Sequence, residues 1–268
     1  MKEDSIQTVR KYGNPPFSTA VIHGGPGAPG EMAPVAKELA KNFGILESLQ
    51  SANTLSGQID ELKQQVKENS KTPIALIGWS WGAWLSFMFT AQNPSMVKKL
   101  ILIGSGPFED KYVPEIMQIR LSRLSKEDGE KVSLFTQLIS NAKEDEKDKI
   151  FCQFGSLLSK ADLYNSLPHE NDIIECQYNV YEGVWKDAKE LRSTGKLLEY
   201  GKKITCPVVA IHGDGDPHPA KGVQEPLSKI INDFKFILLE NCGHKPWYEK
   251  EARDRFYELL REELIQEL

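Results

Sequence analysis

The run Pro73-Ile74-Ala75-Leu76-Ile77-Gly78-Trp79-Ser80-Trp81-Gly82-Ala83-Trp84-Leu85 decides the fold. A continuous apolar stretch from Ile74 leads into Gly78-x-Ser80-x-Gly82, and beyond it Trp84, Leu85, Met88 and Phe89 recur at helical spacing. That order predicts a buried strand, a sharp turn and a helix. In so tight a turn, side chains at the two glycines would strike the neighbouring strand and helix. The turn lifts Ser80 Oγ above the strand end and leaves the Trp81 backbone N–H ready to bind an oxyanion.

On the N-terminal side, residues 1–17 are polar, punctuated by Gly13-Asn14-Pro15-Pro16, and no element is assigned there. A β-branched run, Ser18 to His23, ends in His23-Gly24-Gly25-Pro26-Gly27. Glu31 to Phe43 reads as a helix burying Met32, Val35, Ala36 and Leu39, followed by a short strand over Gly44–Leu49. A second helix opens at Leu55 with Ile59, Leu62 and Val66 inward. On the C-terminal side, the helix after Ser80 stops near Asn93-Pro94, and Val97 to Gly104 is another buried strand. Alternating helices and continuously apolar strands mean a mostly parallel sheet flanked by helices on both faces, an α/β fold.

At Gly106-Pro107 the alternation stops. From there to Lys203 no convincing strand occurs, but several stretches are amphipathic: Ile116/Ile119/Leu124, Leu134/Leu138/Ile139 and Ile173 to Leu191. The mixed-sign run Lys143 to Lys149 reads as a solvated helix face. The sheet resumes at Pro207–His212, followed by a helix to about Ile231, a last strand over Phe234–Glu240 and a last helix over Glu249–Leu268. Residues 1–106 and 204–268 thus form one sheet domain, into which 107–203 is inserted as a helical unit.

A net charge of −5 over 268 residues leaves no basic footprint, so nucleic acid is a poor partner. No apolar run approaches the ~18 residues of a membrane span. The charged start, Met1-Lys2-Glu3-Asp4-Ser5, carries no apolar signal region. Cys152, Cys176, Cys206 and Cys242 show no Cys-x-x-Cys spacing and read as reduced thiols. A cytoplasmic protein with a small-molecule or short peptide substrate is expected. A Cys206–Cys242 bridge is discounted, because these residues flank opposite ends of parallel strands, roughly 20 Å apart at the usual rise.

In an open parallel sheet, functional groups gather beyond the carboxyl ends of the strands. Gly24-Gly25, Ser80, Asp214/Asp216 and His244 each follow a strand, so all fall on one edge. With these residues the chain resembles the α/β-hydrolase fold family, whose triad runs Ser, acid, His. The resemblance makes Ser80 the nucleophile and His244, four residues past Glu240, the general base. The acid comes from His212-Gly213-Asp214-Gly215-Asp216-Pro217-His218, where Asp216 matches the family's position and Asp214 reads as a turn-former. The N–H groups of Gly25 and Trp81 form the oxyanion hole, His23 and His212 brace loops, and the insertion is a cap that shapes specificity. His169 reads as a surface residue. No cofactor is implied. A metal held by His212, Asp214, Asp216 and His218 is the rival reading, but one short turn would have to converge all four.

Within that family, His23-Gly24-Gly25-Pro26-Gly27 with Gly78-x-Ser80-Trp81-Gly82 looks most like the proline iminopeptidases, which read a free amine with cap carboxylates. Glu170, Glu175 and Glu182 lie in suitable territory. The iminopeptidase Asp-Gln-Arg-Gly segment has no counterpart, since the matching region reads Phe43-Gly44-Ile45-Leu46-Glu47-Ser48-Leu49-Gln50. The usual leading hairpin is missing or reduced to one strand. Expected is a serine hydrolase of a small ester, amide or aminoacyl compound. Iminopeptidase action, carbon–carbon bond hydrolysis and a non-catalytic ligand receptor are the alternatives.

Overall fold

In the computed structural model, which describes residues 8–170 and 172–265, seven strands form one sheet. In chain order these are β1 (Val9–Tyr12), β2 (Phe17–Ile22), β3 (Gly44–Ser48), β4 (Ile74–Trp79), β5 (Val97–Ile103), β6 (Val208–Gly213) and β7 (Phe234–Leu239). Their order across the sheet is β1-β3-β2-β4-β5-β6-β7, with β1 alone antiparallel. β4 is buried at every residue because helices cover both its faces. Ala20, Ile22, Leu76, Leu100 and Leu102 pack on one side, under α2 (Leu55–Asn69) and α3 (Trp81–Gln92). Val21, Ile77, Ile101, Val209 and Ile211 pack on the other, with α1 (Ala33–Leu39) and α10 (Arg253–Ile265).

Between β5 and β6 lie α4 (Pro114–Arg123), α5 (Lys126–Asn141), α6 (Glu144–Asp162), α7 (Tyr178–Ser193) and the short α8 (Lys196–Glu199). α9 (Lys221–Ile230) joins β6 to β7. α3 is apolar all round and buried from Trp81 to Ala91. It needs that composition, because Val180, Val184 and Ala188 of α7 pack into the same core on its outer side.

Three sequence expectations need correction. The polar N-terminal stretch contains an edge strand, whose short Val-Arg-Lys-Tyr run hides the signal: Arg10 and Tyr12 both reach the buried Glu47 of β3. α7 starts at Tyr178, not Ile173. The amides of Ile174 and Gln177 donate instead to the carbonyls of Pro29 and Gly27, so the segment runs as an extended strap along the loop after β2. The last helix starts at Arg253, and its expected end at Leu268 lies outside the described residues.

The cysteines are the fourth correction. Cys152 of α6 and Cys176 of the strap are disulfide-bonded, with Cα atoms 5.6 Å apart, whereas Cys206 and Cys242 remain thiols. The pair is separated by 24 residues, so only the return of the strap past α6 brings it together. The bond removes the cysteine argument for a reducing compartment. Among the described residues, no helix is long and apolar enough to cross a membrane. Thiol titration of the denatured, unreduced protein is expected to count two thiols, rising to four after reduction; four from the start would contradict the bond.

Candidate active site

β4 ends at Trp79 and α3 begins at Trp81, so a single residue reverses the chain. Ser80 takes φ 55° and ψ −115°, a conformation that costs a non-glycine residue about 1–3 kcal/mol. The flanking glycines let α3 approach. A Cβ on Gly78 would sit 2.1 Å from Gly82 O, and one on Gly82 would sit 2.4 Å from the carbonyl oxygens of Ile22 and His23. As the first residue of α3, Trp81 has an N–H without an intrahelical acceptor. Gly25, Ser80 and Trp81 all line one cavity.

Register brings the other groups to the same edge. Trp79 lies opposite Ile103, Ile103 opposite Ile211, and Gly213 opposite Leu239. The turns after β6 and β7 therefore meet beside Ser80. His244 Nδ1 donates to Asp216 Oδ2 at 2.7 Å, and both residues are buried. The His244 backbone is held at both ends, its N–H donating to Asp162 O at 2.7 Å and its carbonyl accepting from Trp79 Nε1 at 2.8 Å. Asp214 does not share in this. Its Oδ1 accepts the Cys242 N–H at 3.1 Å and stitches the two turns together.

Asp216 also accepts the backbone N–H and Nδ1–H of His218 on Oδ1, both at 2.8 Å. Burial works to raise the Asp216 pKa, but His244, His218 and His212 outweigh it and hold the carboxyl well below its ordinary range. His218 is pushed down to about 4, by burial first and then by the charge of His244. His212 donates Nε2–H to His218 O at 2.7 Å. His23 donates Nδ1–H to Gly24 O at 2.6 Å and accepts the Gln50 N–H on Nε2. Both strand-end histidines thus brace loops. For the four-residue metal set, Asp214 and His212 are engaged elsewhere. Asp216, His218 and His244 do bring ligand atoms within 4.8 Å of one another, but hydrogen bonds between imidazole and carboxylate already organise them.

The alpha/beta hydrolase fold family model matches residues 21–251. The chain belongs to this family. Monoacylglycerol lipase abhd6-B of Xenopus laevis is 24% identical over 257 residues, covering 90% of this chain and 73% of that one. Proline iminopeptidase PfmaB of Pestalotiopsis fici is 26% identical over 189 residues, covering 66% of this chain and 62%, less than two thirds, of that relative. Among solved structures, VinJ superposes with a TM-score of 0.67 at 17% identity, covering 96% of this chain and 94% of that one. The protein is a hydrolase of this family.

Above Ser80 the hydrolase holds a cavity of about 1290 Å³, roofed by α4 to α7. Its wall is an aromatic ladder. Trp84 stacks on Trp185 at 5.7 Å, Trp185 on Tyr181 at 6.2 Å, and Tyr181 packs against Phe151 at 4.8 Å. Charged groups in the wall are largely paired: Arg120 is bidentate to Asp162, and Lys245 meets Glu31 at 2.7 Å. Glu170 and Glu182 line the cavity, whereas Glu175 lines a separate recess beside Thr8 and Arg10. His169 is exposed as expected, but it stacks on Tyr248 at the cavity wall.

Sequence reasoning missed Glu249. Its carboxylate, fully buried, accepts the N–H groups of Gly243, Tyr164 and Asn165 at 3.0, 2.8 and 2.7 Å. With Asp162 O it ties the return of α6 to the His244 turn. Only topology brings these segments together, so no local pattern signals the contact. In the sequence His218 stands only as a metal candidate, although its place two residues past Asp216 is plain there.

His218 gives a signed pH expectation. Below pH 6.5 the unfolded chain takes up a proton that the folded imidazole refuses, so the stability contributed by His218 is lost as pH drops from 6.5 toward 4. The contribution is on the order of 3 kcal/mol. Urea unfolding across this window is expected to show a shallower slope in H218N, with His23, whose pKa burial also lowers, contributing to the slope that remains. Identical slopes in variant and wild type would contradict it.

Proposed function

We propose that this hydrolase cleaves a small ester, amide or aminoacyl substrate through an acyl-enzyme. Ser80 is the nucleophile, His244 the general acid–base and Asp216 its orienting carboxylate. What carries the reading is the buried 2.7 Å contact between Asp216 and His244 in the cavity that Ser80 also lines. Asp216 accepts Nδ1–H and so leaves Nε2 of His244 as the basic nitrogen. Nε2 takes the Ser80 proton as Oγ attacks the carbonyl carbon. The oxyanion forms against the N–H groups of Gly25 and Trp81, both fixed before the reaction begins. Collapse breaks the bond to the leaving group, which receives the proton from His244. Water then repeats the sequence on the acyl group.

Residues 1–106 and 204–268 are the catalytic core and 107–203 the cap. The aromatic ladder favours an apolar acyl group, and an esterase is the first choice. A free-amine site is the second reading, favoured by Glu170 and Glu182 in the cavity wall. Monoacylglycerol lipase and proline iminopeptidase relatives stand behind the two readings respectively.

Initial rates with p-nitrophenyl butyrate and prolyl p-nitroanilide separate them. Ser80→Ala and His244→Ala are each expected to cut kcat about 10⁴-fold or more, Ser80→Ala melting near wild type and His244→Ala, which strips a donor from the buried Asp216, folding but melting lower. Near-wild-type turnover in Ser80→Ala would remove the nucleophile assignment. Ser80-dependent cleavage of the anilide would select the free-amine site, and Ser80-dependent cleavage of the ester alone the esterase.

A further inference from the structure

His218 is fixed more tightly than a loop residue needs to be. Its backbone N–H and Nδ1–H bind Asp216 Oδ1, its carbonyl accepts from His212, and its ring stacks on His244 with centroids 4.4 Å apart and planes 29° from parallel. The two imidazoles divide one carboxylate, His244 on Oδ2 and His218 on Oδ1. With both Nδ1 atoms turned to Asp216, each Nε2 lies on the part of its ring directed away from that contact. Nε2 of His218 has no hydrogen-bond partner among the described residues, and the residue lines the cavity with its side chain 12% exposed.

We propose that Nε2 of His218 is a substrate-binding acceptor that takes a hydrogen bond from a hydroxyl on the leaving group. The inference rests on the serine-hydrolase reading, in which Nε2 of His244 hands its proton to the leaving atom. The leaving group is thereby pinned beside His244, and His218 is the next ring. With Nδ1–H spent on Asp216 and a pKa of about 4, His218 is neutral in the working range, so Nε2 presents a lone pair and no proton. An ammonium is the poorer fit, because Asp216 and Asp162 are already paired and Arg120 lies within electrostatic reach of His218. A neutral hydroxyl satisfies the acceptor without opposing that charge.

The test compares 2-hydroxyethyl butyrate with propyl butyrate, which share an acyl group and differ by a terminal hydroxyl for a methyl. Wild-type kcat/KM is expected to favour the hydroxyl ester about fivefold, the worth of one net hydrogen bond. In H218N the side-chain amide can still donate to Asp216, but no atom replaces Nε2, so the ratio of kcat/KM for the two esters is expected to fall to about one, whatever the change common to both. H218F, which keeps the ring shape without either nitrogen, is read in parallel, with melting curves for both. A wild-type ratio near one, or a preference that survives in both variants, overturns the proposal. Equal losses on the two esters would make His218 a positioning residue only and also overturn it. Ester hydrolysis that persists in Ser80→Ala would instead overturn the serine reading beneath it.

Discussion

The structure turns on one buried charge. Asp216 sits where water does not reach, and a carboxylate there is tolerated only if its lone pairs are filled by well-placed donors. Here the donors are the imidazoles of His244 and His218 and the amide of His218. Filling them fixes two turns at once. The two His218 bonds lock the β6 turn internally, and neither turn can shift against the other without stripping His244 from Oδ2. Asp214, on the Cys242 amide, adds a second stitch between the same turns. The orientation of His244 is therefore set by the folding of the sheet edge rather than by substrate.

A second set of contacts joins this edge to the helices above it. Asp162 and Glu249 bind backbone amides across the junction, Asp162 through its carbonyl to His244 and Glu249 through its carboxylate to Gly243, Tyr164 and Asn165. Arg120 holds the Asp162 side chain from α4, so the roof of the cavity and the histidine turn share one hydrogen-bonded junction. On the opposite side the strap before α7 hangs from the carbonyls of Gly27 and Pro29, in the loop that carries Gly25. The helical layer thus grips both loops that flank Ser80. Movement of the roof would be felt at both.

Most of the sheet was legible because its strands announce themselves locally. Ile74–Ile77 and Leu100–Ile103 are apolar without interruption, and the Gly-rich turns after them mark where the chain must reverse. That Ser80, Asp214/Asp216 and His244 share one edge could be read for the same reason, since each lies in the turn after a strand; the order of a triad and the choice of Asp216 came from the resemblance to the α/β hydrolases. What escaped was settled by distant partners. β1 carries two charges in four residues: Arg10 pairs with Glu47 of β3, and Lys11 lies over the Phe17 ring. The helical pattern from Ile173 is sound, but the backbone amides there were claimed by another loop. The Cys152–Cys176 bond, the Glu249 clamp and the pairing of His218 with His244 each join segments whose proximity depends on the finished fold.

In the reaction we propose, Ser80 is the activated nucleophile of a triad with His244 and Asp216. The most direct measurement is intact-mass and peptide mapping after treatment with an alkyl fluorophosphonate, which phosphonylates a serine only where a base and an oxyanion hole activate it. One adduct is expected, on the peptide containing Ser80, absent in Ser80→Ala and formed orders of magnitude more slowly in His244→Ala. An adduct on another residue, or a Ser80 adduct that forms as fast without His244, would contradict it.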